Sequence, residues 1–131
     1  MEVLTERAAE IVLIVFLAIT FAQSSLDKVF DWSGNLDWLK SHFEKSPLKG
    51  VVPALFFILT VTELAAGILC VLGLIQVLRG AGDNLAFWGA VLSCLSLLML
   101  LFGQRMAKDY DGARTIAIYF IPAAFLLFLL Q

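Results

Sequence analysis

The chain has 131 residues, a formal net charge of −2 and a mean hydropathy of +0.94, and 61% of its residues are hydrophobic. Soluble domains are about 45–50% apolar, so this composition excludes an ordinary soluble domain and indicates a membrane protein of one domain. The charge balance, without any basic stripe along the chain, predicts no nucleic-acid partner.

Four apolar segments follow one another, and each has the roughly 20 residues that a helix needs to cross a bilayer. Backbone hydrogen bonds must close within lipid, and the alternation typical of barrel strands is absent. We therefore predict an all-α fold, an integral membrane antiparallel four-helix bundle forming a single domain over residues 1–131. The predicted spans cover residues 8–30, 51–78, 85–105 and 113–130.

The first segment must be distinguished from a signal peptide, because the run from Ile11 to Ala22 has the length of a signal-peptide core. Acidic residues precede this run at Glu2, Glu6 and Glu10, which is the wrong charge for the start of a signal peptide. We expect this segment to be a retained first span.

The connection between the first two spans is the longest and has amphipathic character. Trp32, Leu36, Leu39 and Phe43 recur at helical spacing with charged residues between them. This pattern predicts a short interfacial helix at the membrane surface, and a plain solvated loop is the alternative. His42, within this connection, is expected to be solvated.

Basic residues predict the orientation, because cytoplasmic loops are enriched in Lys and Arg. The face with both termini has Arg7 and Arg79. The opposite face has seven basic residues: Lys28, Lys40, Lys45, Lys49, Arg105, Lys108 and Arg114. We therefore expect loops 31–50 and 106–112 to be cytoplasmic and both termini to lie outside.

Glu63 is the single acidic or basic residue between Val51 and Ile75. A charge at bilayer depth costs on the order of 3 kcal/mol or more, so its side chain should face partners inside the bundle. With residue 52 placed at the membrane boundary on the side of loops 31–50 and 106–112, a rise of 1.5 Å per residue puts Glu63 roughly 16 Å deep, close to the midplane.

Other polar residues are expected to share this interior as a pocket with one charged mouth. Thr20, Gln23 and Asp27 follow Phe16 at 4-3-4 spacing, which predicts one common face of the first helix. The candidate ligand-binding set is Thr20, Gln23, Asp27, Lys28, Glu63, Gln104, Arg105 and Tyr119.

Each candidate also has a structural interpretation. Glu63 is either a protonated structural acid bonded to Gln23 or Thr20, or a functional acid in proton chemistry, quinone chemistry or ligand binding. Lys28 beside Asp27 is either a helix end with a snorkelling lysine or part of the pocket. The pair at 104–105 has the same two interpretations, and an aromatic at position 119 is more typical of a core or interface.

The two cysteines, Cys70 and Cys94, lie in separate apolar runs without CxxC spacing or a nearby histidine. We expect both to be packing residues, and we predict no metal site and no intrinsic redox cofactor. No catalytic residue is assigned.

Three stretches together resemble the DoxX family of small bacterial membrane proteins, within the wider DoxX- and DoxD-like group. The end of the first helix, Ser24-Ser25-Leu26-Asp27-Lys28, is similar to the family's small-residue-then-lysine pattern. The stretch Glu63-Leu64-Ala65-Ala66-Gly67-Ile68-Leu69 is similar to its acid followed by small residues. The third stretch is Phe102-Gly103-Gln104-Arg105-Met106-Ala107-Lys108-Asp109-Tyr110.

This resemblance implies a four-helix protein of the bacterial inner membrane that works beside redox enzymes. DoxD-like relatives are subunits of a membrane thiosulfate:quinone oxidoreductase or are associated with a terminal quinol oxidase, and DoxX is linked to complexes that handle oxidative stress and thiols. The expected function is a membrane subunit of a quinone- or thiol-linked assembly, and the candidate partners are redox-enzyme subunits and further copies of itself. A quinone needs only an apolar slot and one or two hydrogen-bonding groups.

Two other functions compete with this one. A small-molecule transporter or carrier would place the acid and the cations on a permeation path open to both sides. A non-catalytic membrane scaffold would have a dry, fully paired interior around Glu63.

Overall fold

The computed structural model describes residues 2–131, and every regular element within that range is helical. Four of the helices are long and apolar enough to cross a membrane, which makes this a multi-pass protein of the lipid bilayer and confirms the all-α prediction. The elements are α1 Glu2–Glu6, α2 Ala8–Phe30, α3 Trp32–His42, a 3-10 turn Lys49–Val51, α4 Val52–Leu78, α5 Asn84–Met106 and α6 Tyr110–Leu130.

Local chemistry sets the helix ends. Helix α6 begins three residues before the start predicted for the fourth span, because an Asp109 Oδ1 atom accepts a hydrogen bond from the Gly112 backbone N–H at 2.9 Å. This contact caps the free N–H groups of the first turn. Pro53 lies in the first turn of α4, where a missing N–H leaves no helical hydrogen bond unmade.

Helix α4 lies between α2 and α5, and α6 packs on α5. The buried face of α2 contributes Ile14, Leu17 and Phe21 to a core that also contains Ala66 of α4 and Ala123 of α6. Most other large apolar side chains point outward, as expected where lipid covers the surface.

Small residues bring α4 and α5 close together. A Cβ added at Gly73 would lie 2.5 Å from the Ala86 backbone nitrogen, and one at Gly89 would lie 2.8 Å from Cys70 Sγ. Helix pairs in membranes depend on such close packing, since lipid offers no hydrophobic advantage for association. Cys70 and Cys94 are both buried and free.

The predicted short helix between the first two spans is confirmed as α3. It is held against the end of the bundle that carries the loops 31–50 and 106–112 by aromatic contacts, among them Trp32, whose ring is tilted by 37° against that of Phe56 of α4 with ring centroids 4.4 Å apart. Helix α3 therefore covers one end of the α4–α5 pair.

Candidate functional site

Glu63 is sealed inside the bundle by two residues of α2. Its side chain is 1% exposed, and its Oε1 atom lies 2.8 Å from Lys28 Nζ. Ser24 Oγ donates to Glu63 Oε2 at 3.0 Å and accepts from Lys28 Nζ at 2.7 Å. The three side chains therefore form a closed triangle in which both carboxylate oxygens are engaged.

Helix geometry explains why these three residues meet. Ser24 and Lys28 are four residues apart, so they share a face of α2. One turn along α4 from the acid, Gly67 lets the two helices approach, because a Cβ there would lie 3.0 Å from the Ala22 backbone nitrogen. The close approach at Gly67 brings the serine and the lysine to the acid.

The structural interpretation of Glu63 names Gln23 or Thr20 as its hydrogen-bond partner, and neither residue contacts it. Gln23 is exposed on the outside of α2, and the Thr20 hydroxyl donates to the Phe16 backbone carbonyl at 2.8 Å. Asp27, on the same predicted polar face, is exposed as well. The buried face carries large apolar residues and a small serine instead: Ile14, Leu17, Phe21 and Ser25.

The remaining candidates lie apart from the ion pair. Asp27 is exposed, Arg105 lies over the Tyr110 ring at 5.1 Å, and Tyr119 is 38% exposed and stacks on Phe16. Of the eight predicted site residues, the structure brings Lys28 and Glu63 together and places Gln104 at a second location.

That second location is an apolar cavity of about 440 Å³ beneath α3, between α4 and α5. Its walls are aliphatic and aromatic, and its polar side-chain groups come from His42 and Gln104 at the rim and from the indole N–H of Trp38. His42 Nε2 lies 2.9 Å from Gln104 Oε1 and 3.5 Å from Asp109 Oδ2. The apolar walls include Trp38, Leu39, Phe43, Val52, Leu55, Phe56, Leu59, Met99 and Phe102.

Aromatic contacts fix the histidine at this rim. The His42 ring stacks on Trp38 at 4.6 Å and meets Phe43 edge-on at 5.1 Å. Gly103 leaves room for Phe43, whose Cζ atom would lie 3.4 Å from a Cβ there. The expectation of a solvated His42 is therefore wrong, since its ring is partly buried between α3 and the end of α5.

Two functional candidates escaped the sequence analysis, although each left a signal. Ser24 precedes Lys28 by four residues, the spacing of neighbours on one helix face. His42 follows Leu39 by three residues and therefore lies on the apolar side of α3. Both signals become useful only when the inward face of each helix is known.

The cavity and the ion pair lie along one face of α4. Phe56 and Glu63 are both buried and seven residues apart, which corresponds to about 10 Å of helix rise. The cavity wall and the acid thus occupy successive depths from the charged-loop end inward. Over residues 2–131, no cluster of His, Cys, Asp and Glu side chains could hold a metal ion.

Comparisons of the chain with protein-family models, with curated proteins and with solved structures find no match.

Proposed function

We propose that this protein is a DoxX-type subunit of a redox assembly in the bacterial inner membrane, and that it binds a quinone in the cavity beneath α3. The observation that supports this most is the cavity itself, which has apolar walls and a single hydrogen-bonding pair at its rim. Ligand sites typically have this composition, an apolar slot with a few convergent polar groups. The resemblance in three sequence stretches supports the choice of ligand and assembly.

His42 and Gln104 would hold the polar head of the ligand, and the aromatic and aliphatic walls would surround its ring and tail. A quinone supplies two-electron, two-proton chemistry when bound. An imidazole is the side chain best suited to exchange a proton with a quinone head group, and at this site His42 Nε2 lies 2.9 Å from Gln104 Oε1 and 3.5 Å from Asp109 Oδ2. Glu63 lies about 10 Å further along α4 than Phe56 of the cavity wall. It is held by Lys28 and Ser24, so it stabilises that wall and does not contact the ligand directly.

A quinone titration tests this proposal. The protein is placed in quinone-free nanodiscs with Trp32 and Trp88 replaced by Phe, so that Trp38 at the cavity is the remaining tryptophan. A short-chain ubiquinone analogue should quench its fluorescence in a saturable manner. His42→Ala should weaken binding about 10-fold, because a hydrogen bond to the head group is lost.

Glu44→Ala is the matched control, since Glu44 is exposed two residues from His42 and lies outside the cavity wall. It should bind as the parent does. Quenching that does not saturate, or that is equal in both variants, would reflect partitioning into the bilayer and would contradict the proposal. Co-purification of a quinone-dependent enzyme with the tagged protein tests the assembly itself.

A non-catalytic scaffold is the second candidate, and the sealed triangle around Glu63 favours it. A scaffold would retain its partner proteins on purification while failing to bind the quinone analogue. A carrier would need polar groups through both halves of the bundle, yet α4 from Val71 to Ile75 and α5 from Leu85 to Leu92 are apolar throughout.

A further inference from the structure

Gln23 presents an amide to the outer surface of the bundle at the depth of the ion pair. The adjacent Ser24 contacts Glu63, which lies about 16 Å of helix rise beyond the start of α4 at Val52. The hydrocarbon core of a bilayer is about 30 Å thick, so this depth lies inside it. The Gln23 amide is exposed there and has no hydrogen-bond partner among residues 2–131.

Lipid cannot satisfy that amide. Hydrocarbon offers no donor or acceptor, and an unpaired polar group in it carries a substantial free-energy cost. At the same depth the outward face of α4 presents Val61, Leu64 and Ile68, which lipid covers without cost. The outer surface of α2 therefore differs in kind from that of α4.

Gln23 also occupies the middle of a regular row of exposed residues, here called the α2 seam. Its apolar members are between 36% and 82% exposed, the least exposed being Phe16, which stacks on Tyr119 of α6, and the spacing is 4-3-4-3-4, as at the contact positions of a coiled coil. The row runs along the side of α2 opposite its buried face. The α2 seam consists of Val12, Phe16, Ile19, Gln23, Leu26 and Phe30.

We infer that the α2 seam is a dimer interface, on which a second copy of this chain pairs its own seam with Gln23 bonded to Gln23. Two copies inserted with the same topology have parallel α2 helices at equal depth. A two-fold axis along the membrane normal then places each seam residue opposite its own copy.

The chemistry of the amide selects a second copy as the occupant. An amide carries both donors and an acceptor, so two identical amides satisfy each other, which two carboxylates or two ammonium groups cannot do. A single polar residue at such a position also fixes the register of the pair, because any shift leaves both amides in lipid.

The test measures association of two differently labelled copies in liposomes by energy transfer. Gln23→Leu should weaken dimerisation about 3- to 20-fold, the range expected from one interhelical hydrogen bond in a membrane. Gln23→Asn, which keeps an amide, should retain most of the association. Gln23→Leu replaces a polar surface group by an apolar one, so the monomer fold should be unaffected.

Thr20→Val is the matched control, because the Thr20 hydroxyl already bonds to the carbonyl of its own helix. It should leave association unchanged. In native membranes, oxidation should cross-link copies through Leu26→Cys on the seam but not through Leu72→Cys on α4. Unchanged dimerisation in Gln23→Leu, a monomeric parent, or cross-links from Leu26→Cys to a different protein only would each overturn the inference.

Discussion

At the scale of single residues, the partners of Glu63 decide what the acid does. A carboxylate in the membrane is costly when alone, but here Lys28 Nζ and Ser24 Oγ engage both of its oxygens. Breaking a buried pair by removing one partner is strongly destabilising, whereas replacing both partners with apolar residues is often neutral. The acid therefore ties α2 to α4, the helix that forms one wall of the cavity, and we call this its framework role.

We expect Lys28→Met alone to lower the free energy of unfolding by about 3 kcal/mol, because it leaves Glu63 buried without a cation. The double variant Lys28→Met with Glu63→Leu should recover most of that loss. Denaturation by SDS titration of the purified protein measures both values. A double variant as unstable as the single one would argue against the framework role.

The single variant Glu63→Gln separates structure from function. For the framework role, protein level and ligand binding should fall together. Loss of quinone binding at an unchanged protein level would instead make Glu63 a ligand group.

At the scale of elements, the α4–α5 pair depends on glycines at the points of closest approach. A side chain at Gly73 would meet the Ala86 backbone at 2.5 Å, and backbone atoms cannot move aside as a flexible side chain can. The same two helices form two walls of the cavity at the other end of the pair.

Gly73→Ala should therefore destabilise the bundle by about 1–3 kcal/mol, the usual cost of overpacking. Gly50→Ala is the control, since a Cβ there has no neighbour within 4 Å. Thermal unfolding in detergent, followed by helical circular dichroism, compares the two. Equal melting temperatures for Gly73→Ala and the parent would show that the two helices can separate without loss.

At the scale of the whole molecule, the two ends of the bundle differ in charge and in openness. Helix α3, the cavity and most of the basic residues lie at one end. At the other end Arg7 forms salt bridges with Asp83 at 2.9 Å and with Glu10 at 3.3 Å. Even without Lys28, which is paired with Glu63, and Arg105, which lies within α5, five of the seven basic residues at the α3 end remain, against two at the opposite end.

This asymmetry predicts a cytoplasmic α3. A cysteine at Lys45 should react with a membrane-impermeant maleimide only after the cells are permeabilised, whereas one at Ala81 should react in intact cells. Both positions are exposed. The reverse labelling pattern would place the α3 end, and the cavity with it, outside the cytoplasm.

The sequence by itself determined the class of the protein, the four spans and the helix between the first two. Runs of about 20 apolar residues must close their backbone hydrogen bonds as helices in lipid, and the spacing of Leu36 and Leu39 identifies α3. Only the tertiary structure decided which side of each helix faces inward. In lipid both sides of a spanning helix are apolar, so hydropathy does not distinguish the inward side from the outward side. The polarity of Gln23 suggested that it faces inward, whereas in the structure Ser24 and Lys28 face inward and contact Glu63. The cavity at His42 likewise exists only because α3 folds back over α4 and α5.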